Sequence, residues 1–240
     1  MESKENKDFT RGMVVVAHAD DAEYGCSGTV AKLCNLGFEM VYVMCTDGSK
    51  GTNNRNISQK ELAAIRHAEQ VNAGKVLGLK EVVFLDYEDS MLEPTIALRR
   101  NITQEIRRHK PDILICQYPL RTLDGKWGIG HPDHLAAGEA ALSATFPSAR
   151  DHLTFPELLA NGLEPHKVSE VWIMSHPVPN HWVDVTNHIE TSVDAILQHT
   201  SQIEGSSREE VDKRMREGRK EKGIGKGMQY AEEFRLITMR

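Results

Sequence analysis

Short apolar runs alternate with longer helix-like segments along most of this chain. Five apolar runs occur at 14–17, 40–45, 82–85, 113–116 and 171–174. The intervening segments at 23–36, 58–77, 95–108 and 132–144 have the periodicity of helices. This alternation predicts an α/β fold of the Rossmann-like type, in which a mostly parallel sheet is flanked by helices on both faces.

Local signals mark where individual elements begin. Ser58 followed three residues later by Glu61 is a capping-box signature. Pro132 suits the first position of a helix. Near the C-terminus, the highly charged segment 205–227 predicts a solvated helix plus a flexible loop, and 228–239 predicts a final helix-to-strand or β-ribbon element.

The size and composition of the chain exclude several classes of protein. Its 240 residues fit one domain spanning 1–240, with two domains as the weaker alternative, and the polar residues 1–11 are expected to form a flexible tail. A net charge of −6 argues against nucleic acid as the main partner. No apolar run approaches the roughly 20 residues of a membrane span. Four cysteines without Cys-x-x-Cys spacing are expected to be buried reduced thiols in a cytoplasmic protein.

Two clusters of ionisable residues lie at predicted strand-to-helix junctions. His18, Asp20 and Asp21 follow the first apolar run, and the sequence His-Pro-Asp-His at 131–134 begins the fourth predicted helix. Either cluster taken alone is also typical of surface histidines or of a capping turn. Because open α/β sheets bind ligands at the carboxyl ends of their strands, the two clusters together favour a metal site.

The residue types in these clusters suit a catalytic zinc ion. Such an ion takes three protein ligands and leaves a fourth position for water. His18 and Asp21 lie three residues apart and can turn towards one ion, while His134 can supply the third ligand from the distant cluster. The same ligand types also accept Fe²⁺, Mn²⁺ or Co²⁺.

Three further residues suit acid–base chemistry beside a metal. Asp20 is adjacent to a predicted ligand and can act as a general base towards water. His131, as imidazolium, can stabilise an oxyanion and protonate a leaving amine. Asp133 can orient His131, in the manner of a His–Asp pair. This combination predicts a metal-dependent hydrolase.

The ordered set of motifs resembles the LmbE-like (PIG-L) family of zinc-dependent N-acetylglucosaminyl deacetylases. The matching positions extend along nearly the whole chain: 17–25, 46–51, Arg66 with Glu69, 131–134, Ser201–Gln202 and 230–235. Each motif alone is weakly specific, whereas their order along the chain is highly specific.

The resemblance implies a role for each matching residue. His18, Asp21 and His134 would be zinc ligands, Asp20 the general base, His131 with Asp133 the acid or electrostatic stabiliser, and Arg66 a sugar-binding residue. The implied reaction removes the acetyl group from an N-acetylated amino sugar or glycoconjugate. The alternatives are an amidase for a larger amino-sugar thiol conjugate and a non-catalytic metal- or sugar-binding module. Family members are often symmetric oligomers, so a homo-oligomer is also expected.

Two positions depart from the family pattern. Ala19 replaces the more frequent proline of the first motif, a change that loosens the loop but keeps the ligands. Ile129 occupies a position where some members carry a tyrosine that assists the oxyanion, so this task would pass to the metal and His131. In the loop 118–130, Trp127 is a candidate for stacking on a sugar ring, with ordinary packing as the alternative.

Overall fold

Seven strands form one sheet in the computed structural model, which describes residues 9–123 and 129–240. The strands are β1 (Arg11–Val16), β2 (Glu39–Thr46), β3 (Glu81–Tyr87), β4 (Ile113–Gln117), β5 (Glu170–Met174), β6 (His181–Asp184) and β7 (Ala231–Thr238). Their order across the sheet is β3-β2-β1-β4-β5-β7-β6. The first five in this order run parallel, and β7 pairs antiparallel with both β5 and β6.

Seven α-helices connect or cover these strands. They are α1 (Asp21–Asn35), α2 (Gln59–Leu77), α3 (Ile96–His109), α4 (Pro132–Ser143), α5 (Pro156–Ala160), α6 (Ile189–Ile196) and α7 (Arg208–Gly223). Both halves of the predicted capping box are present at the start of α2, where Ser58 and Glu61 bond reciprocally. The four predicted helices are confirmed, with ends displaced by at most two residues.

The sheet is covered on both faces, as the sequence predicts. Along β1, Met13 and Val15 face the layer formed by α3 and α4, whereas Val14 and Val16 face the layer formed by α1 and α2. All four side chains are fully buried. A strand buried on both faces has no polar alternation, and this explains the unbroken apolar run in the sequence.

The strand order reverses between β1 and β4. The chain leaves β1 into α1 on one face of the sheet, and it enters α4 after β4 on the other face. Such a reversal opens a crevice at the carboxyl ends of the two central strands. The two ionisable clusters identified in the sequence lie at this reversal.

The C-terminal region departs from the sequence prediction. The charged helix α7 was expected to be solvated, but Val211, Met215 and Arg219 on one of its faces are buried. The four-residue spacing places these side chains on one stripe of the helix. The many charged residues around the stripe hide it in the sequence. The guanidinium of Arg219 forms a buried ion pair with Glu232 of β7 at 2.7 Å. The segment after α7 contains β7, which lies between β5 and β6 in the sheet and agrees with the strand predicted near the C-terminus.

The four cysteines are free thiols, as predicted. Cys26, Cys45 and Cys116 are buried, and Cys34 is partly exposed. Among residues 9–123 and 129–240, no helix combines the length and the apolar character needed to cross a membrane.

Close packing at Gly138 gives a testable prediction for the fold. A methyl group added at Gly138 of α4 would lie 2.4 Å from the backbone oxygen of Gln117 at the end of β4. We expect Gly138→Ala to lower the free energy of unfolding by about 1–3 kcal/mol, as overpacking does. Urea denaturation measures this change.

The matched control is Gly218→Ala on α7, where an added methyl meets no atom within 4 Å. Alanine there should raise helix stability by roughly 0.5–1 kcal/mol. A Gly138→Ala variant as stable as the parent would contradict the packing argument.

Candidate metal centre

The first ionisable cluster lies in a tight turn between β1 and α1. The backbone N–H of His18 donates to Oδ2 of Asp21 at 2.7 Å, so this carboxylate is tied to the turn that carries it. Between them, Asp20 has φ 82° and ψ −22°, in the left-handed region that few non-glycine residues occupy. Strain of this kind is common at functional sites.

Three side chains converge from the two clusters. His18 Nδ1 lies 3.2 Å from His134 Nε2. His134 Nε2 lies 3.0 Å from Asp21 Oδ1, and His18 Nδ1 lies 3.4 Å from Asp21 Oδ2. Ligand atoms of a tetrahedral zinc ion, each about 2.0–2.2 Å from the metal, are separated by about 3.3–3.5 Å. The distances among the three predicted ligands are compatible with one ion, and the ligand assignment stays a prediction.

The second nitrogen of His18 faces two more carboxylates. Nε2 lies 3.0 Å from Oδ2 of Asp133 and 3.3 Å from Oδ1 of Asp89. A proton on Nε2 satisfies these acceptors and leaves the Nδ1 lone pair directed at the other ligands. Carboxylates behind a metal-binding histidine orient the ring in this way.

Negative charge dominates the surroundings of His18. Burial alone lowers the pKa of its ring, but the hydrogen bonds to the three carboxylates outweigh burial and raise this pKa to about 12. The same negative charge favours a divalent cation, which can replace the proton between the ligands.

Asp133 is anchored more firmly to its neighbours than to His131. Its carboxylate is fully buried and accepts hydrogen bonds from the backbone N–H groups of Ser90 at 2.7 Å and Leu92 at 3.2 Å. Burial raises the pKa of Asp133, but the hydrogen bonds from His18 and these N–H groups lower it overall. The carboxylate is thus arranged to orient His18.

His131 lies on the open side of the cluster. Its ring centroid is 4.7 Å from that of His18, and its Nδ1 accepts a hydrogen bond from the backbone N–H of Asp133 at 3.2 Å. The Asp133 carboxylate is 4.0 Å from the same nitrogen. Burial and then the charge of His18 lower the pKa of His131. Its role as an acid stays a prediction.

Asp20 has the environment expected for one of two adjacent carboxyls. Burial, and then the charge of Asp21, raise the pKa of Asp20 to about 7. A cation held by Asp21 opposes this rise because it offsets the repulsion between the two carboxylates.

Arg66 is occupied by the loop after β2. Its guanidinium is buried and donates to the carbonyl oxygens of Gly48, Lys50 and Gly51. It also lies 3.5 Å from Oδ2 of Asp89. These contacts stabilise the loop and the second carboxylate behind His18, while a direct contact of Arg66 with a sugar stays a prediction.

Asp89 is a site residue that sequence reasoning missed. It follows β3, is buried, and accepts a hydrogen bond from the backbone N–H of Lys50 at 3.0 Å. Burial raises its pKa, but the hydrogen bonds and charge of His18 hold it well below its usual range. Its position in the sequence was the signal that could have found it, because Asp89, like the first ionisable cluster, follows an apolar strand of the parallel sheet.

The loop 118–130 precedes the second cluster. Ile129 is 71% exposed. Arg121 donates to the carbonyl oxygens of Ile129 and Gly130, at 2.6 and 3.0 Å. Trp127, the candidate stacking residue, lies outside the described residues.

Comparison with known proteins identifies the family. Residues 13–145 match the PIG-L family, described as GlcNAc-PI de-N-acetylase. The chain is 31% identical to a diacetylchitobiose deacetylase of Thermococcus kodakarensis, over 96% of this chain and 84% of the relative. It is 30% identical to a probable N-acetyl-α-D-glucosaminyl L-malate deacetylase of Bacillus anthracis, over 66% of this chain and 73% of the relative. The chain belongs to the PIG-L (LmbE-like) family of deacetylases.

The fold agrees with this assignment. A solved structure of N,N′-diacetylchitobiose deacetylase from Pyrococcus horikoshii, in complex with an inhibitor, matches with a TM-score of 0.88 and 30% identity. The match covers 96% of this chain and 85% of that chain. The predicted Rossmann-like α/β class and the predicted family are both confirmed.

Metal binding tests the ligand set. We expect His134→Ala to lose stoichiometric zinc, because one of three ligands is removed, and Asp89→Asn to bind zinc about 10–100-fold more weakly. Metal analysis after dialysis and competition with a chromophoric chelator measure both effects.

A matched control is His152→Ala, a histidine whose side chain is 66% exposed. It should bind zinc like the parent protein. Full zinc binding by His134→Ala would contradict the ligand assignment.

Proposed function

We propose that this chain is a zinc-dependent deacetylase that hydrolyses the acetamido group of an N-acetylglucosamine-type sugar. The observation that carries the proposal is the convergence of His18, Asp21 and His134 with Asp20 in the adjoining turn. A binding module needs the ligands but has no need for a strained carboxylate beside them.

The proposed reaction breaks the amide C–N bond and forms a C–O bond to water. When bound, zinc supplies Lewis acidity towards the amide carbonyl and the attacking water. Asp20 takes a proton from that water, and the leaving nitrogen gains a proton from His131 or from Asp20. The products are acetate and a free amine.

The remaining residues hold this arrangement in place. Asp133 and Asp89 face the His18 ring on the side away from the other ligands, and Arg66 stabilises the loop that supports Asp89. His131 lies beside the ligands on the more exposed side, with a side chain that is 38% exposed. His134 is exposed to the same extent, at 37%, so a substrate entering from solvent would meet both histidines.

The relatives favour a small amino-sugar substrate. Two of them are named for acetylated glucosamine compounds, one a disaccharide and one a malate conjugate. A cytoplasmic location, a homo-oligomeric state and the lack of a nucleic-acid partner remain predictions from the sequence.

A metal-reloading assay tests the reaction. The assay compares chelated protein with protein reloaded with Zn²⁺, Fe²⁺, Mn²⁺ or Co²⁺. Each sample is incubated with N-acetylglucosamine, diacetylchitobiose, the malate conjugate or an amino-sugar thiol conjugate. The free amine is then measured. We expect metal-dependent amine release from an acetylated glucosamine compound, with zinc giving activity.

Each other outcome of the assay has a defined meaning. Release only from the thiol conjugate would support the larger-amide alternative. Tight stoichiometric metal without release from any compound would support the binding module and contradict the proposal.

Substitution of Asp20 tests the base. Asp20→Asn should lower turnover about 10²–10⁴-fold, as loss of a general base does, while zinc stays stoichiometric. Steady-state kinetics and metal analysis are measured on the same preparation.

Asp86→Asn is the matched control, since Asp86 also has a positive φ (54°) but carries an exposed carboxylate. Its turnover should equal that of the parent. An active Asp20→Asn variant would rule out Asp20 as the base.

A further inference from the structure

Two glutamines contact opposite ends of a single peptide unit in the turn after β1. The backbone C=O of Ala19 accepts a hydrogen bond from Nε2 of Gln202 at 2.8 Å. The backbone N–H of Asp20 donates to Oε1 of Gln70 at 3.3 Å. These two backbone groups belong to the same Ala19–Asp20 peptide, so both of its polar ends are bound by side chains from distant parts of the chain.

A neighbouring residue fixes the amide orientation of Gln70, whereas that of Gln202 is set by the peptide itself. Nε2 of Gln70, which is fully buried, donates to Oε1 of the fully buried Glu23 at 3.0 Å. Because a carboxylate only accepts, the amide oxygen of Gln70 must face the Asp20 N–H. For Gln202 the partner is a carbonyl, so its NH₂ group must point towards the peptide.

Gln202 is carried by a turn that α2 holds in place. Glu69, the residue before Gln70, accepts hydrogen bonds from Thr200 Oγ1, Ser201 N and Ser201 Oγ, each at 2.7 Å. Glu69 is buried. Two consecutive residues of α2 thus act on the peptide, Gln70 by direct contact and Glu69 through the turn that positions Gln202.

The bound peptide is the one whose rotation would relieve the strain at Asp20. Rotation of this peptide by half a revolution changes ψ of Ala19 and φ of Asp20 together. It would bring φ of Asp20 from 82° to about −100°, which is in the allowed region for most residues. In the turned state the C=O would face the Gln70 oxygen and the N–H would face the Gln202 NH₂. The contact with Gln70 would be repulsive, because Glu23 holds the amide of Gln70 with its oxygen towards the peptide. At Gln202 the present hydrogen bond would be lost, and a new one would require its amide to turn as well.

We propose that Gln70 and Gln202 are positioning residues that clamp the Ala19–Asp20 peptide and so hold Asp20 in its left-handed conformation beside the metal ligands. Without the clamp, the peptide turns, which reverses its C=O and N–H groups and tilts the Cα–Cβ bond of Asp20. The catalytic consequence rests on the proposed function, in which Asp20 is the base. The conformational consequence does not.

Amide hydrogen exchange of Asp20, followed by NMR in the zinc-loaded full chain, tests the conformational part. Gln70→Met removes the acceptor and Gln202→Met releases the opposite end, so each should raise the exchange rate of the Asp20 amide at least about 10-fold. Gln198→Met is the matched control, because Gln198 also donates to a backbone carbonyl, that of Asp194 at 3.1 Å. It should leave the Asp20 amide unchanged.

Kinetics on the same variants test the catalytic part. Gln70→Met and Gln202→Met should lower kcat about 10–100-fold with KM within about 2-fold and with zinc still stoichiometric, because only the base is displaced. The double variant should lose little more than the worse single variant, since both contacts restrain one peptide. Should Gln202→Met fail to fold, Gln202→Glu keeps the side-chain shape and removes the donor.

The outcomes separate the clamp from the proposed reaction. Unchanged exchange of the Asp20 amide in both methionine variants would overturn the clamp, as would a loss of zinc that accounts for all the lost activity. A parent protein that deacetylates no substrate would overturn the proposed function, while the exchange rates would still decide the clamp.

Discussion

Three carboxylates, from Asp21, Asp89 and Asp133, face the ring of His18 from three separate segments of the chain. So much negative charge in a buried place is costly unless a cation balances it. A protonated His18 supplies one positive charge, and a divalent metal supplies more. Each carboxylate must also be held in place by hydrogen-bond donors, and these donors determine the arrangement of the rest of the site.

Those donors come mostly from the backbone. Asp133 accepts from the N–H groups of Ser90 and Leu92, Asp89 accepts from that of Lys50, and Asp21 accepts from that of His18. These N–H groups lie in the turn after β1 and in the loops after β2 and β3, beyond the ends of three parallel strands. As main-chain groups they have less conformational freedom than side-chain donors would. The reversal of strand order between β1 and β4 brings these strand ends around one crevice.

Side chains from α2 and from the segment after α6 support the strained turn at Asp20. Gln70 and Gln202 bind the peptide before Asp20, and Glu69 secures the turn that carries Gln202. The buried pair of Glu23 and His199, with Nε2 3.3 Å from Oε2, lies behind Gln70. A buried polar network restrains its members to one arrangement, because a buried donor or acceptor that loses its partner is costly.

Local patterns in the sequence were sufficient for the five parallel strands, the first four helices and the two clusters, but not for α5, α6 or β6. An apolar run such as 14–17, a capping pair such as Ser58 and Glu61, and ionisable residues at a strand end report interactions between near neighbours, which sequence spacing preserves. Only the tertiary structure paired Asp133 with His18, brought Asp89 into the site and buried one face of α7. The contacts of Asp133 and Asp89 with His18 join residues far apart in the sequence, and their geometry depends on how the whole sheet is ordered, which no local spacing records. The stripe on α7 is a local pattern, but the elements that bury it are set by the same sheet order.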